Sequence, residues 1–387
     1  MTKIAIITTH PIQYYAPLFK LLSERGNVQV KVFYTWGEEA REKVFDPGFG
    51  KQRAWDIPLL DGYDFEFVPN VSTNPGSSNY KGIVNPDLIE RINKYEANTL
   101  LVFGWAFNSH LKILRHFKGK IPILFRGDST LLDEPSGFSI KKALRRIFLT
   151  WVYRHIDMAL YVGTNNKAYF EAHGVKNERL VYAPHAIDND RFYDVNGSYA
   201  KQAKEWRYKL NIPDGKASLL FAGKLEQKKN PLFIIETAQH FPQIHFIIIG
   251  NGVLENEIKQ KVKNISNITL LPFQNQSMMP VAYRLADIFV LPSSGPGETW
   301  GLAINEAMAC GRVVVASNKC GGAMDLIVEG RNGFVIDPTI ESFENTLKRI
   351  INLPTILEKG SAFSFHQIQS FTFTKIAERI ESAVFHS

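Results

Sequence analysis

Two glutamates in the second half of the sequence are placed where both can serve one phosphate-linked ligand. Glu298 lies in a turn rich in Pro, Ser and Gly, and Glu306 lies eight positions later, on the second turn of a helix predicted from about Gly301. The first N–H groups of a helix lack intrahelical partners and attract anions. A carboxylate before these groups can accept hydrogen bonds from sugar hydroxyls, and one a turn inside can accept them from a ribose diol. An isolated pair at this spacing usually means ordinary surface or buried-edge glutamates, but the surrounding glycines and small helical residues favour a ligand site.

A second loop carries two cations in a comparable position. Residues 218–222 are predicted to form a strand that runs into Gly223, then Lys224 and Lys229, and then a helix. Two cations at the end of a strand can neutralise a diphosphate leaving group, because lysine acts as a point charge toward phosphate. A basic loop by itself is usually only solvated, but its position directly before a helix favours phosphate binding.

Polar side chains also follow the first predicted strand, at residues 3–8. The strand runs through a turn into an apolar-periodic helix, and ligands collect at such strand ends in doubly wound folds. We therefore expect His10, Gln13 and Tyr14 to face a ligand. For His10, a functional role and a structural role remain open.

Two charged residues follow the strand predicted at residues 122–125. Arg126 could bind a phosphate or an acidic acceptor, and Asp128 could hold a sugar hydroxyl. The tripeptide that begins at Arg126 reads as an adhesion motif, but it follows a buried strand and carries no such meaning here.

Composition limits the classes of protein that the chain can belong to. Its 387 residues, 45% of them hydrophobic, suggest two domains of ordinary size. The net charge of +7 favours anionic partners such as a nucleotide, a phospholipid surface or nucleic acid, and of these we do not expect nucleic acid. Cys310 and Cys320 have no neighbouring metal ligands, which fits a reducing compartment. The N-terminus reads as a strand and no apolar run approaches about 18 residues, so we expect a cytoplasmic protein.

Strand and helix patterns alternate along most of the chain, which predicts an α/β fold of two Rossmann-like, doubly wound domains facing a central cleft. We place the first domain at residues 1–195 and the second at 196–369, with a polar, basic linker near their junction. Residues 36–86 are predicted to be a long loop region. Its aromatic residues could stack on sugar rings or simply pack the loop, and these alternatives remain open.

The helix predicted at residues 141–155 is strongly basic. It carries five cations, and no acidic residue lies between Glu134 and Asp157. One interpretation is docking on an anionic membrane, peripheral to its inner face. The other is an ordinary surface helix that buries its apolar side. The cations are Lys141, Lys142, Arg145, Arg146 and Arg154. The apolar residues are Leu144, Ile147, Phe148 and Trp151.

Over residues 180–340 these motifs resemble those of the retaining glycosyltransferases of family 4, which have the GT-B fold; the resemblance is weak before residue 120. The family carries Glu-x7-Glu, a Gly-Arg-Leu loop with a Lys five residues later, and a Gly-Gly pair. The corresponding residues here are Glu298 with Glu306, Gly223-Lys224-Leu225 with Lys229, and Gly321-Gly322. The last stretch, residues 370–387, is similar to the family's closing helix, which crosses back to the first domain.

The resemblance implies transfer of a sugar from a UDP- or GDP-sugar to a glycan or lipid-linked acceptor, with retained configuration, in bacterial surface polysaccharide synthesis. No metal cofactor is expected. In the family the first Glu holds the transferred sugar and the second holds the ribose, which assigns these roles to Glu298 and Glu306. The other residues expected around the nucleotide are Gly223, Gly250, Gly252, Phe273, Trp300, Gly301 and Leu302.

Two places depart from the family pattern. Arg126 stands about where the family has a His that faces the donor sugar, and His185 with Ala186 replaces an Asn-Gly pair at the domain exit. Asp188 and Asp190 spell a D-x-D string, which binds metal in another glycosyltransferase class; we interpret it as part of a turn. A nucleotide-sugar epimerase and a non-catalytic carbohydrate-binding module remain alternatives.

Overall fold

The structure is a computed structural model that describes residues 1–40, 44–46, 51–53, 55–137, 139–353 and 355–385. The chain divides into two compact units. One comprises Met1–Val44, Ile57–His185 and Phe373–Ser387, and the other comprises Phe45–Asp56 and Ala186–Thr372.

Strands and helices alternate along both units. The strands are β1 (Thr2–Thr8), β2 (Val28–Tyr34), β3 (Val44–Asp46), β4 (Lys51–Arg53), β5 (Asp64–Phe67), β6 (Thr99–Phe103), β7 (Ile123–Arg126), β8 (Met158–Tyr161), β9 (Leu180–Tyr182), β10 (Ser218–Ala222), β11 (His245–Ile249), β12 (Ile268–Leu271), β13 (Ile288–Leu291), β14 (Val313–Ser317) and β15 (Gly333–Ile336). The helices are α1 (Ala16–Arg25), α2 (Leu88–Tyr95), α3 (Asn108–Phe117), α4 (Ile140–Tyr153), α5 (Thr164–Ala172), α6 (Asn189–Phe192), α7 (Ser198–Lys209), α8 (Pro231–His240), α9 (Glu255–Lys261), α10 (Met279–Tyr283), α11 (Leu302–Ala309), α12 (Ala323–Leu326), α13 (Ile340–Asn352), α14 (Thr355–Ile368) and α15 (Phe373–Phe385).

The sheet of the first unit has the order β5-β2-β1-β6-β7-β8-β9, and its neighbouring strands are parallel. Its central strands are continuous apolar runs because parallel sheets are covered on both faces. Leu100, Val102 and Phe125 belong to one buried cluster with side chains of the flanking helices. The strands predicted at residues 3–8 and 122–125 are confirmed as β1 and β7.

The sheet of the second unit has the order β12-β11-β10-β13-β14-β15, again with parallel neighbours. Numbered within the unit, this order is 3-2-1-4-5-6, that of a Rossmann dinucleotide-binding fold. Its core combines β-strand residues such as Phe221 and Val315 with Phe233 of α8 and Leu347 of α13. The prediction of two doubly wound α/β sheets is confirmed.

The segment 36–86 contains regular structure that its composition did not predict. β5 pairs with β2 and forms one edge of the first sheet, and β3 pairs with β4. Tyr63 packs edge-to-face on Phe19, with ring centroids 5.8 Å apart, and shares a 2.7 Å hydrogen bond with the hydroxyl of Tyr34. Packing therefore accounts for this aromatic residue.

The interpretation of α4 as an ordinary helix with its predicted apolar side in the core is wrong. The buried residues of α4 are Leu149, Val152 and Tyr153, whereas Leu144 and Ile147 are exposed. Among the residues that the structure describes, no helix has both the length and the apolar character needed to cross a membrane.

An ion pair joins α15 to α1 within the first unit. The Arg25 guanidinium donates to both carboxylate oxygens of Glu381, over 2.8 and 2.9 Å, and Glu381 is buried. These hydrogen bonds hold the pKa of the Glu381 carboxyl below its ordinary value.

We expect Glu381→Gln to lower the free energy of unfolding by about 1.5–3 kcal/mol at neutral pH, the range for hydrogen bonds to charged groups. Because the folded pKa is depressed, the stabilisation is present above the unfolded pKa and is lost as pH falls through the folded one. Thermal melts of wild type and variant should therefore converge in acid. As a control, Glu96→Gln removes the exposed partner of Lys3 and should leave the melting temperature nearly unchanged. Equal melting of wild type and Glu381→Gln at neutral pH would contradict the prediction.

Candidate functional site

The second sheet has a topological switch point between β10 and β13. β10 pairs with β11 on one side and with β13 on the other, so the direction in which strands are added to the sheet reverses at β10. Ligands of open α/β sheets bind at the carboxyl ends of strands at such a point. The loops that follow these two strands are residues 223–230 and 292–301, and the N–H of Ser294 donates to the carbonyl of Lys228 over 2.9 Å. The two predicted motifs therefore lie side by side.

Glu298 is held by two donors at this switch point. The Lys229 ammonium group contacts Oε2 of Glu298, and the hydroxyl of the buried Ser293 donates to the same oxygen over 2.8 Å. The side chains of Lys229 and Glu298 are 21% and 12% exposed, so the pair is partly open to a ligand. The structure thus brings together the cation and the carboxylate that the sequence placed in separate motifs.

The helix that follows is α11, and it begins where the sequence predicted. Gly301 precedes it with φ of 92°, and a Cβ there would lie 2.9 Å from a methyl group of Leu291. Only glycine fits this position without strain. Glu306 is buried on the second turn and accepts a 2.7 Å hydrogen bond from the hydroxyl of Tyr283. Leu302, the first helical residue, is half-buried.

Trp300 serves the protein's own packing. It is buried, and its indole N–H donates to Oδ1 of Asn305 over 2.8 Å. The N–H of Gly322 donates to the Trp300 carbonyl over 2.9 Å, and a Cβ on Gly322 would lie 2.7 Å from the indole ring. The predicted contact between Trp300 and a nucleotide therefore finds little open surface, and this side chain instead fixes the loop before α11.

The glycines that were predicted to approach a nucleotide differ in their surroundings. A Cβ on Gly250 would lie 1.9 Å from the carbonyl oxygen of Gly223, and one on Gly252 would lie 2.5 Å from that of Leu225. The close approach of two backbone loops thus requires glycine at both positions. By contrast, a Cβ on Gly223 would meet only the Phe221 ring, at an ordinary 3.5 Å. The protein itself leaves room for a side chain there.

Two further predicted residues lie at the carboxyl edge of the same sheet. Phe273 follows β12, is half-buried, and its N–H donates to Oδ1 of Asn251 over 2.9 Å. Lys224 follows β10 and is also half-buried. Both side chains retain surface that a ligand can contact.

In the first unit, Arg126 binds the protein's own backbone. Its guanidinium is buried at the end of β7 and donates to the carbonyls of Ala183 and Pro184, over 2.8 and 3.0 Å. Burial lowers its pKa, and Asp128 partly offsets this effect. The expectation that Arg126 meets a phosphate or an acidic acceptor is therefore replaced by a structural role.

Asp128 is more open, and it has a neighbour that the sequence prediction did not include among the site residues. Its side chain is 44% exposed, and its Oδ2 lies 3.7 Å from Nε2 of the buried His185. Burial lowers the pKa of His185, and the nearby Asp128 carboxylate acts in the opposite direction. The signal that could have found His185 is its position just after β9, at the same sheet edge as Asp128.

His10 lies at the end of β1 with two close neighbours. Its Nδ1 lies 2.9 Å from the Thr9 hydroxyl, and its ring packs edge-to-face on Trp36, with centroids 5.1 Å apart. Burial lowers the pKa of His10 to about 4, so the imidazole is neutral at physiological pH. Gln13 is buried and Tyr14 is half-buried in the turn that follows. Roles for these three residues toward an acceptor stay predictions.

Residues 188–190, the D-x-D string, make hydrogen bonds within the protein. Asp188 caps α6 by accepting from the N–H of Arg191 over 3.3 Å, and Asn189 donates to the carbonyls of Ile368 and Phe371. Across the described ranges, no group of three or more His, Cys, Asp or Glu side chains is arranged to hold a metal ion. Burial raises the pKa of Cys310 to about 11 and that of Cys320 to about 12, so both thiols stay protonated near neutral pH.

Among the comparisons with known proteins, the family match lies within the second unit. A family model described as "Glycosyl transferases group 1" matches residues 202–363. A D-inositol 3-phosphate glycosyltransferase of Xylanimonas cellulosilytica is 25% identical over 173 residues, which cover 43% of this chain and 41% of that protein. An Escherichia coli UDP-Gal:alpha-D-GlcNAc-diphosphoundecaprenol alpha-1,3-galactosyltransferase is 34% identical over 139 residues, covering 33% of this chain and 35% of the relative. The matches thus span well under half of these relatives.

Solved structures extend the likeness to both units. Alr3699/HepE of Anabaena, crystallised with UDP and glucose, is similar over 100% of both chains with a TM-score of 0.71 and 18% identity. Sucrose-phosphate synthase of Thermosynechococcus elongatus gives a TM-score of 0.74 at 16% identity, over 100% of this chain and 99% of that one. At such identities the likeness shows the fold, which is GT-B. The chain is therefore similar to the group 1 glycosyl transferases over residues 202–363.

Proposed function

We propose that this protein transfers a sugar from a UDP- or GDP-sugar to a glycan or lipid-linked acceptor and retains the anomeric configuration. The observation that carries the proposal is the contact between Lys229 and Glu298 at the switch point, directly before α11. A cation and a carboxylate just before a helix N-terminus support the binding of a sugar diphosphate.

The donor is proposed to bind as follows. The diphosphate lies on the first N–H groups of α11, with the ammonium groups of Lys224 and Lys229 around it. Glu298, already oriented by Ser293, accepts hydrogen bonds from hydroxyls of the sugar. The ribose lies against Glu306, and the base lies near Phe273.

In the transfer step, the bond between the anomeric carbon and the phosphate oxygen breaks, and a bond from the acceptor hydroxyl oxygen to that carbon forms on the same face. The departing phosphate oxygen takes the proton of the acceptor hydroxyl, so the step requires no protein nucleophile. The two lysines and the helix N-terminus neutralise the charge that develops on the diphosphate. For this reason we propose that no divalent metal is needed.

Relatives support the choice of substrates. The name of the E. coli relative specifies a UDP-sugar donor and a diphosphoundecaprenol acceptor, and a solved neighbour contains UDP-glucose. We therefore propose that the setting is bacterial surface polysaccharide synthesis, and that UDP-sugars are the donors to test first.

The test is a mass-spectrometric screen of UDP- and GDP-sugars, with and without glycan and lipid-linked acceptors. A new glycoside whose anomeric configuration matches the donor supports the proposal. Isomerisation of the donor without transfer would identify an epimerase instead, and binding without turnover would identify a carbohydrate-binding module. Activity should survive EDTA, whereas complete loss that Mn²⁺ or Mg²⁺ restores would contradict the metal-independent step.

We expect Glu306→Ala to weaken nucleotide binding on the order of tenfold or more, since a hydrogen bond to a charged group contributes about 1.5–3 kcal/mol. The variant also loses the internal bond to Tyr283. Tyr283→Phe removes that bond and keeps the carboxylate, so it is the matched control and should bind nucleotide normally. Titration calorimetry decides: if folded Glu306→Ala binds nucleotide as wild type does, the ribose role is wrong.

Gly223 after β10 and Gly250 after β11 lie in contact and should respond differently to alanine. Gly250→Ala forces a Cβ into the Gly223 carbonyl, so it should cost about 1–3 kcal/mol of folding stability or more. Gly223→Ala has room within the protein and should melt normally, but its methyl group would enter the proposed phosphate site. We expect nucleotide affinity to fall roughly five- to a hundredfold. If Gly223→Ala binds nucleotide as tightly as wild type does, the phosphate does not bind at this loop.

Asp128→Asn keeps the side-chain shape and removes the charge. If Asp128 holds a hydroxyl of donor or acceptor during transfer, the single-turnover rate should fall tenfold or more, equivalent to about 1.4 kcal/mol. Nucleotide affinity should change little. Glu178→Gln is a suitable control, because Glu178 is an exposed carboxylate before β9, at the opposite edge of the sheet. A lower melting temperature with a normal rate would show that Asp128 only shapes the turn.

A further inference from the structure

Helix α4 presents an apolar stripe to solvent. Ile140, Leu144 and Ile147 are 73%, 62% and 67% exposed, and Phe148 beside them is 42% exposed. Their spacing of four, three and one positions places them on one face of the helix. Large apolar side chains are seldom grouped in this way on a free surface, and contiguous patches mark binding sites.

The four cations of the first half of α4 divide into two kinds. Lys142 and Arg146 are half-buried and form ion pairs with Glu134, at 3.3 and 3.0 Å. Lys141 and Arg145 are exposed, each one position after a residue of the stripe. The exposed face of α4 is therefore both apolar and positively charged.

Aromatic residues border one end of the stripe. The Phe148 ring lies 5.5 Å from that of Trp105 and 5.7 Å from that of Trp151, measured between centroids. The guanidinium of Arg115, from α3, lies 5.6 Å from the Trp151 ring centroid. Tryptophan and arginine together suit the boundary between lipid headgroups and acyl chains.

We propose that this face, formed by Ile140, Lys141, Leu144, Arg145, Ile147 and Phe148, docks on an anionic phospholipid bilayer. The helix would lie in the plane of the interface, with the stripe among the acyl chains and the cations among the headgroup phosphates. Charge argues for lipid over a second copy of the chain. In a two-fold interface the same patch meets itself, so this positively charged face would meet an equally positive one. The inference does not depend on sugar transfer, because lipid binding is measured without substrates.

The experiment is sedimentation of the full chain with vesicles of equal parts phosphatidylglycerol and phosphatidylcholine, and with vesicles of phosphatidylcholine alone. Wild type should bind the anionic vesicles at low salt and the neutral ones much less. Raising the ionic strength from about 0.1 M to about 1 M shortens the Debye length from about 10 Å to about 3 Å, so it should release much of the bound protein.

Two double variants of equal charge separate docking from general attraction. Lys141→Gln/Arg145→Gln should weaken binding to anionic vesicles about thirtyfold, because each cation near such a surface contributes about 1 kcal/mol. Lys142→Gln/Arg146→Gln loses the same charge from cations that pair with Glu134, and should weaken binding less than about threefold. The apolar variant Leu144→Gln/Ile147→Gln should lose at least about tenfold, since each buried CH₂ adds about 0.8 kcal/mol.

The changed side chains of the first and third variants are exposed, so circular dichroism should show native folds. Equal losses from the two charge variants would overturn the proposal, because net charge alone would then explain binding. A wild type that ignores anionic vesicles at low salt would also overturn it. So would a dimer, seen by analytical ultracentrifugation, that Leu144→Gln/Ile147→Gln disrupts while vesicle binding is unaffected, since the face would then bind a second copy.

Discussion

The parallel pairing of β10 with β13 is the constraint on which the proposed donor site depends. Because neighbouring parallel strands end at the same edge of the sheet, their loops are forced together although Lys229 and Glu298 are 69 positions apart in sequence. The backbone bond from Ser294 to Lys228 then fixes the two loops against each other. Without this topology, Lys229 would be one solvated cation among many. The site is therefore a property of strand order first and of side chains second.

The glycines of the second unit are present for different physical reasons, although they look alike in the sequence. Gly250 and Gly252 are required because one backbone loop crosses closely over another, and Gly322 is required because Trp300 lies over it. Their small size serves the fold. Gly223 has no such neighbour, so packing within the protein does not require glycine there. A glycine-rich motif thus contains glycines that the packing of the loop requires and glycines that leave space beside it. The two kinds are distinguished by the atoms that surround each glycine in the folded protein.

Much of the fold could be predicted because buried parallel strands are short, continuous apolar runs between turns, as in β6 and β14. β5 was missed because it is a short, half-buried edge strand whose Asp64-Phe65-Glu66-Phe67 alternation looks like part of a polar loop. The buried face of α4 was missed because the helix has two apolar sides, and periodicity cannot say which one meets the core. The carbonyl partners of Arg126 lie 57 and 58 positions away, two strands across the sheet, which no local pattern encodes.

Arg126 also shows that a charged residue at the carboxyl end of a parallel strand can serve the fold itself. β9 is the last strand of the described sheet, so the carbonyls of Ala183 and Pro184 just beyond it lack a further strand to pair with. Buried carbonyls without donors are costly, and the guanidinium supplies two. Burying that cation is itself unfavourable, and the nearby charge of Asp128 partly offsets the cost. Asp128 therefore contributes to the electrostatics of the fold although its side chain is 44% exposed, so the proposed catalytic role of this carboxylate would couple stability to catalysis at one side chain.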